Sequence, residues 1–162
     1  MNYLSSQVVF SEIPDEVSLS YLVTGCSLRC AGCHSADSWS PHRGSLLDSG
    51  KLTKDFKKYE SWITCVLFLG GEWDEKNLIK LLKIARQYQL KTALYTGQDR
   101  ISNAIHQNLD FLKTGRYIEN LGGLDSPITN QKLINLRTGE ILNHLFTKGV
   151  VNDSNERKAI TR

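Results

Sequence analysis

Long apolar runs are missing from this chain. No uninterrupted hydrophobic stretch approaches the roughly 20 residues that span a bilayer. Met1–Phe10 lacks both the basic start and the apolar core of a secretory signal. A cytoplasmic protein with no membrane partner is therefore expected, in a compartment where clustered cysteines more often bind metal than form disulfides. A strong charge of one sign is also missing. The net charge is +3 and the lysines and arginines are scattered, which reads as a solvated surface rather than a nucleic-acid interface. Methionine occurs once, as Met1, and there is neither an internal repeat nor a low-complexity segment. What remains is ordinary: 162 residues, 40% hydrophobic and 23% charged, enough for one domain with a real core.

The informative stretch is Cys26-Ser-Leu-Arg-Cys30-Ala-Gly-Cys33-His34, which holds three of the four cysteines at C-x3-C-x2-C spacing. Just before it, Val17, Leu19, Tyr21 and Val23 alternate with mostly small polar residues, the pattern of a strand over Val17–Thr24. Gly25 then breaks the strand. The thiols thus fall on a loop leaving the C-terminal end of a buried strand, where α/β folds place their sites. Thiolates so close on one loop can converge on one inorganic centre. A fully protein-bound [4Fe–4S] cube uses four cysteines. Three ligands leave one iron open to a small molecule, and an open position signals chemistry rather than scaffolding.

Other readings of the same cysteines stay open. A structural zinc site wants a second Cys pair or a well-spaced His, whereas His34 directly follows Cys33. Cys30-Ala-Gly-Cys33-His34 also fits the C-x-x-C-H haem-attachment pattern, but that leaves Cys26 unexplained and offers no Met beyond Met1 as an axial ligand. A disulfide or thioredoxin-like pair also leaves one cysteine over.

At this loop the chain resembles the radical S-adenosylmethionine superfamily, whose signature is C-x3-C-x2-C. Gly32 stands where many members carry an aromatic residue, and Cys30-Ala-Gly-Cys33-His34 is similar to the form found in activating enzymes of anaerobic ribonucleotide reductase. Gly70-Gly71-Glu72 resembles the family's G-G-[DE] motif, with Trp73 where members often have proline. Gly122–Pro127 followed by Thr129-Asn130-Gln131 resembles the segment ending in S-N-Q in the reductase activators. The side-chain amides of Asn130 and Gln131 suit either bonding a cofactor or pinning a loop.

Between these motifs the sequence reads as alternating elements. Gln7–Phe10 is expected as a short leading strand and Ser35–Gly50 as a loop, with Trp39 packing it onto the core or lining a site. Thr53 is expected to cap a helix to about Glu60. Trp62–Leu69 reads as a central parallel strand in which Cys65 is a core residue. Asp74–Gln89 is the clearest helix, with Leu78, Leu81, Leu82 and Ala85 in one stripe. Lys91–Thr96 and Leu109–Thr114 read as strands, with a helix capped by Asp99 or Ser102 between them. Lys132–Leu136 and Glu140–Leu145 read as a hairpin. The sum is an α/β fold of parallel β/α units. A full barrel takes roughly 250 residues. A partial, open parallel β/α barrel of the radical S-adenosylmethionine type is therefore expected over residues 1–147, with a polar tail over 148–162.

The resemblance implies a role for each motif. Cys26, Cys30 and Cys33 ligate a [4Fe–4S] cluster, and its free iron takes the amino and carboxylate groups of S-adenosylmethionine. Gly70, Gly71 and Glu72 hold the amino group, and Gly32, Cys33 and His34 lie near the adenine. Tyr95, Thr96 and Gly97 border the methionine part. One electron cleaves the cofactor to methionine and a 5′-deoxyadenosyl radical, which takes hydrogen from a glycine of an anaerobic ribonucleoside-triphosphate reductase. Four cysteines leave no room here for a second cluster domain, so the electron is expected from a flavodoxin- or ferredoxin-like donor. A radical enzyme acting on a small molecule and a zinc-binding interaction module are the other two classes considered.

Overall fold

Four parallel strands carry the candidate site, and what flanks them departs from the simple β/α series. The structure is a computed structural model that describes residues 1–147, so the tail expected over 148–162 lies outside the described residues. The chain forms β1 (Asn2–Val9), β2 (Ser18–Val23), β3 (Ser45–Leu46), α1 (Ser49–Lys58) and β4 (Cys65–Leu69). It continues through α2 (Glu75–Gln87), β5 (Lys91–Tyr95), α3 (Asn103–His106), β6 (Phe111–Thr114) and β7 (Lys132–Asn135). One seven-stranded sheet runs β3-β1-β2-β4-β5-β6-β7. The β2, β4, β5 and β6 pairings are parallel, whereas β1, β3 and β7 add antiparallel edges. This is a mixed α/β domain with a parallel-rich sheet.

Both faces of the parallel strands are covered. On one face Leu19, Tyr21, Val66, Phe68 and Leu94 pack against Leu52 and Phe56 of α1 and Leu78, Leu81, Leu82 and Ala85 of α2. On the other, Val9, Ile13, Cys65, Leu67, Ala93 and Phe111 form a second cluster with Leu133 and Leu142. Double burial explains the near-continuous apolar run of β4 and places Cys65 in the core as expected.

Several expected boundaries need correction. The leading strand is not Gln7–Phe10 but the longer β1, held as an antiparallel partner of β2 from Tyr3 to Val9, while Phe10 is 73% exposed. Ser35–Gly50 is not all loop: it contains a 3₁₀ turn at Ala36–Ser38, then β3, then the start of α1. The N-cap of α1 is Asp48, not Thr53. Its Oδ1 accepts from the Lys51 N–H at 2.8 Å, and Leu52 and Phe56 then share the buried side. Trp62 lies outside β4 and is 75% exposed. Ser102 caps α3, accepting from Ile105 N–H at 3.2 Å. The C-terminal hairpin is reduced to a bridge between Ile134 and Ile141, because Asn143–Leu145 turns into a 3₁₀ segment instead of a second strand.

Removing the α1 cap gives a local prediction. Asp48→Ala should cost about 1 kcal/mol, the usual worth of an Asp N-cap. Thermal unfolding of the variant should show a lowered midpoint; Asp48 itself does not line the cavity described next.

Candidate functional site

Strand register builds the floor of the site. Leu22 pairs with Leu69, Leu69 with Tyr95, and Tyr95 with Lys113, so one row crosses all four parallel strands near their C-terminal ends. All four side chains line a cavity of about 200 Å³. Cys26, Cys30 and Cys33 line the same cavity, with Leu28, Trp39, Trp73 and Glu72 around it. This is the end of a parallel sheet where ligands bind, outside the carboxyl ends of the strands.

The cysteine loop is tied down at its base and its middle. Gly25 N–H donates to Ser38 C=O at 2.7 Å, Cys33 N–H to Cys30 C=O at 3.3 Å, and Arg116 Nη2 to Leu28 C=O. Arg29 takes a positive φ of 46°, which turns the chain between the first two cysteines. No disulfide forms: all four cysteines are free. Cys30 is buried and Cys26 and Cys33 are half-buried. Burial pushes the Cys26 thiol above its ordinary range, opposed by a backbone N–H at Leu28 and reinforced by Glu72 and the neighbouring thiols. Among the described residues no three His, Cys, Asp or Glu side chains are grouped around a single metal-ion position.

Glu72 and Thr96 come together above the strand ends. Thr96 Oγ1 donates to Glu72 Oε1 at 2.5 Å and itself accepts from Gln98 N–H at 3.0 Å. The other carboxylate oxygen, Oε2, is buried and has no partner. Desolvation raises the Glu72 pKa, and the Thr96 hydrogen bond opposes that shift. A buried carboxylate oxygen left unpaired is costly unless a donor reaches it. Gly70 sits beneath the Trp73 ring: a Cβ there would lie 2.5 Å from Trp73 Cη2. The Trp73 Nε1–H donates to Thr24 C=O at 3.1 Å, so this indole joins the base of the cysteine loop to the Gly70–Glu72 turn. Trp39 also lines the cavity, and its Nε1 is buried without a partner.

Of the residues singled out from the sequence, Cys26, Cys30, Cys33, Gly70, Glu72, Tyr95, Thr96 and Gly97 line one cavity. Gly71, Gly32 and His34 do not. Gly71 has φ 110° and turns toward Val23 and Met1. Gly32, at φ 70°, faces the Glu119 carboxylate, and the His34 ring lies exposed against Tyr117 with centroids 5.7 Å apart.

Sequence reasoning missed Lys113. It occupies the inward position of a buried strand, where a charge is out of place, and that was the available signal. Burial pulls its pKa down to about 8, against the pull of the Cys30 and Cys33 sulfurs. Its Nζ has the Gly115 carbonyl at 3.4 Å and the Tyr95 ring centroid at 5.9 Å. The cavity therefore presents one carboxylate, one ammonium and three thiols.

Comparison with known proteins agrees with this chemistry. Pyruvate formate-lyase-activating enzyme from Clostridium pasteurianum is 32% identical over 79 residues, which cover 45% of this chain and 33% of that protein. The match thus spans about a third of the length of this curated relative. A family profile described as a 4Fe-4S single cluster domain matches residues 16–137, most of the chain and the whole of the cavity. On that match, the chain belongs to the 4Fe-4S single cluster domain family.

Proposed function

We propose that this chain is an activating enzyme of the radical S-adenosylmethionine type, and that its protein substrate is an anaerobic ribonucleoside-triphosphate reductase. One observation carries the reading. Three free thiols share a cavity with a half-buried carboxylate, one of whose oxygens is buried without a partner, and a half-buried ammonium. The residues suit the cofactors. Thiolates ligate iron–sulfur clusters, and the ammonium nearby favours the deprotonated thiols that ligation requires. Glu72 and Lys113 offer opposite charges to the ammonium and carboxylate of an amino-acid zwitterion. When bound, a [4Fe–4S] cluster and S-adenosylmethionine supply reductive cleavage of the sulfonium and a carbon radical able to abstract hydrogen.

The chain's own residues would then hold and shield. Cys26, Cys30 and Cys33 ligate the cluster. Thr96 fixes the Glu72 carboxylate so that its second oxygen faces the ligand amine. Leu28, Trp39 and Trp73 exclude water from the cavity. Backbone around Gly32 to His34 is kept as the adenine side of the site, and Gly71 supports the Glu72 turn from behind. A radical S-adenosylmethionine barrel of partial, open form is consistent with the four parallel strands.

The motif resemblances, Gly32 before Cys33 and the Thr129-Asn130-Gln131 segment, favour the reductase among glycyl radical partners. No helix among the described residues is long and apolar enough to cross a membrane. A cytoplasmic setting and a flavodoxin- or ferredoxin-like electron donor complete the proposal.

The test mixes the reduced, iron- and sulfide-reconstituted protein, S-adenosylmethionine and an anaerobic reductase under nitrogen. A glycyl radical on the reductase by electron paramagnetic resonance is the expected result. A radical appearing only on a pyruvate formate-lyase would keep the activase and replace the partner. Colourless protein holding stoichiometric zinc would end the reading.

A further inference from the structure

Thr129-Asn130-Gln131 is the one motif to which the cavity chemistry gives no role. It lies just before β7 and packs against Gly115–Arg116, the turn that leaves β6. The fit is close: at Gly115, φ 97°, an added Cβ would lie 3.0 Å from both Asn130 O and Gln131 Cα. Asn130 Nδ2 donates to Arg116 C=O at 2.9 Å, and Gln131 Nε2 donates to Gly115 C=O at 3.3 Å. Gln131 is 5% exposed and lines the cavity. Its own backbone is held too, because Asn143 Nδ2 donates to Gln131 C=O at 2.8 Å.

The Gly115 carbonyl is shared. It accepts from Gln131 and also from the Lys113 ammonium at 3.4 Å, and among the described residues it is the acceptor that ammonium has. The next residue, Arg116, donates to Leu28 C=O inside the cysteine loop. Two amides distant in sequence thus fix a turn that carries both cationic side chains facing that loop.

We propose that Gln131, supported by Asn130, is a positioning residue that sets the electrostatics of the cluster by holding the Gly115 carbonyl where it keeps the Lys113 ammonium in the cavity. The inference rests on the cluster reading above. A fixed positive charge beside a cluster favours its more negative, reduced state, since cluster potential follows local charge and hydrogen bonding. Releasing the carbonyl lets the ammonium turn away, and reduction becomes harder.

The experiment is a redox titration of reconstituted wild type, Lys113→Met, Gln131→Met and the double variant, followed by electron paramagnetic resonance of the reduced cluster without S-adenosylmethionine. Iron and sulfide content and the thermal midpoint serve as folding controls. Lys113→Met should lower the reduction equilibrium constant about tenfold, 59 mV for one electron. Gln131→Met should lower it in the same direction by a smaller factor, and the double variant should match Lys113→Met alone, because interactions in one chain of contacts are not additive. An unchanged potential in fully loaded Gln131→Met, or a double variant whose shifts add, overturns the inference. Should Gln131→Met fail to fold, Gln131→Asn keeps the amide but withdraws it by one methylene, with the same expectations. Wild type that takes up no reducible cluster is a different result, and it removes the proposed function as well.

Discussion

Replacing Cys26, Cys30 or Cys33 by alanine should leave reconstituted protein with little or no bound iron and no radical-forming activity, whereas Cys65→Ala should load iron like the wild type. The contrast follows from where the four sulfurs stand. The first three are free and line one cavity, so each is available to an iron. Cys65 is fully buried between Leu67, Ala93 and Phe111 in the second core cluster. Burial there pushes its thiol up to about 12, so it holds its proton and is a poor ligand. On the proposed assignment of three cysteine ligands, losing one leaves two thiolates, which neither satisfy nor shield a cluster. Cys65→Ala should cost only about 1 kcal/mol, for a small packing defect. The checks are iron and sulfide per chain, visible absorbance and thermal unfolding on all four variants. Iron lost from Cys65→Ala and kept in Cys26→Ala would reverse the ligand assignment.

The parts of the site that sequence made legible share a property: they are local. C-x3-C-x2-C, Gly70 and Glu72 of the Gly70-Gly71-Glu72 turn, and Thr96 just past β5 belong to short patterns whose chemistry depends on nearby residues. Each strand bearing them was also readable, β2 from its alternation and β4 from the apolar run of a doubly buried parallel strand. What stayed hidden depends on pairing. The stretch Asn2–Ser6 gives no strand signal, yet it begins β1 because β2 and β3 supply its hydrogen-bond partners. Asp48 outcompetes Thr53 as the α1 cap because the earlier start puts Leu52 on the buried face along with Phe56, a tertiary gain that no local propensity reports. Lys113 enters the cavity only because its register aligns it with Tyr95, Leu69 and Leu22. Trp73 stands where the family that the motif resembles often has proline, and its reach to Thr24 is a contact across 49 positions.

The second large effect concerns Glu72, whose two roles pull in opposite directions. Glu72→Gln keeps an oxygen for the Thr96 hydroxyl but removes the charge. Hydrogen bonds to charged groups contribute about 1.5–3 kcal/mol, so the affinity of the cluster-loaded protein for S-adenosylmethionine should fall by roughly 10- to 150-fold. The stability of the protein alone should move the other way. Desolvation raises the Glu72 pKa, so between the ordinary glutamate range and that raised value the folded state binds more protons than the unfolded state. Stability from this group is therefore full at acid pH and is lost as pH rises through the raised pKa. Glutamine carries no such penalty. Glu72→Gln should unfold at a higher temperature than wild type at neutral pH, and the gap should close as the buffer is acidified below the glutamate range. Titration calorimetry and scanning calorimetry on the same preparations check both halves. Unchanged affinity would take Glu72 out of the ligand site, and a variant less stable at neutral pH would mean the carboxylate sits comfortably ionised. Only a residue held ready for a cation that arrives later loses binding and gains stability in one substitution.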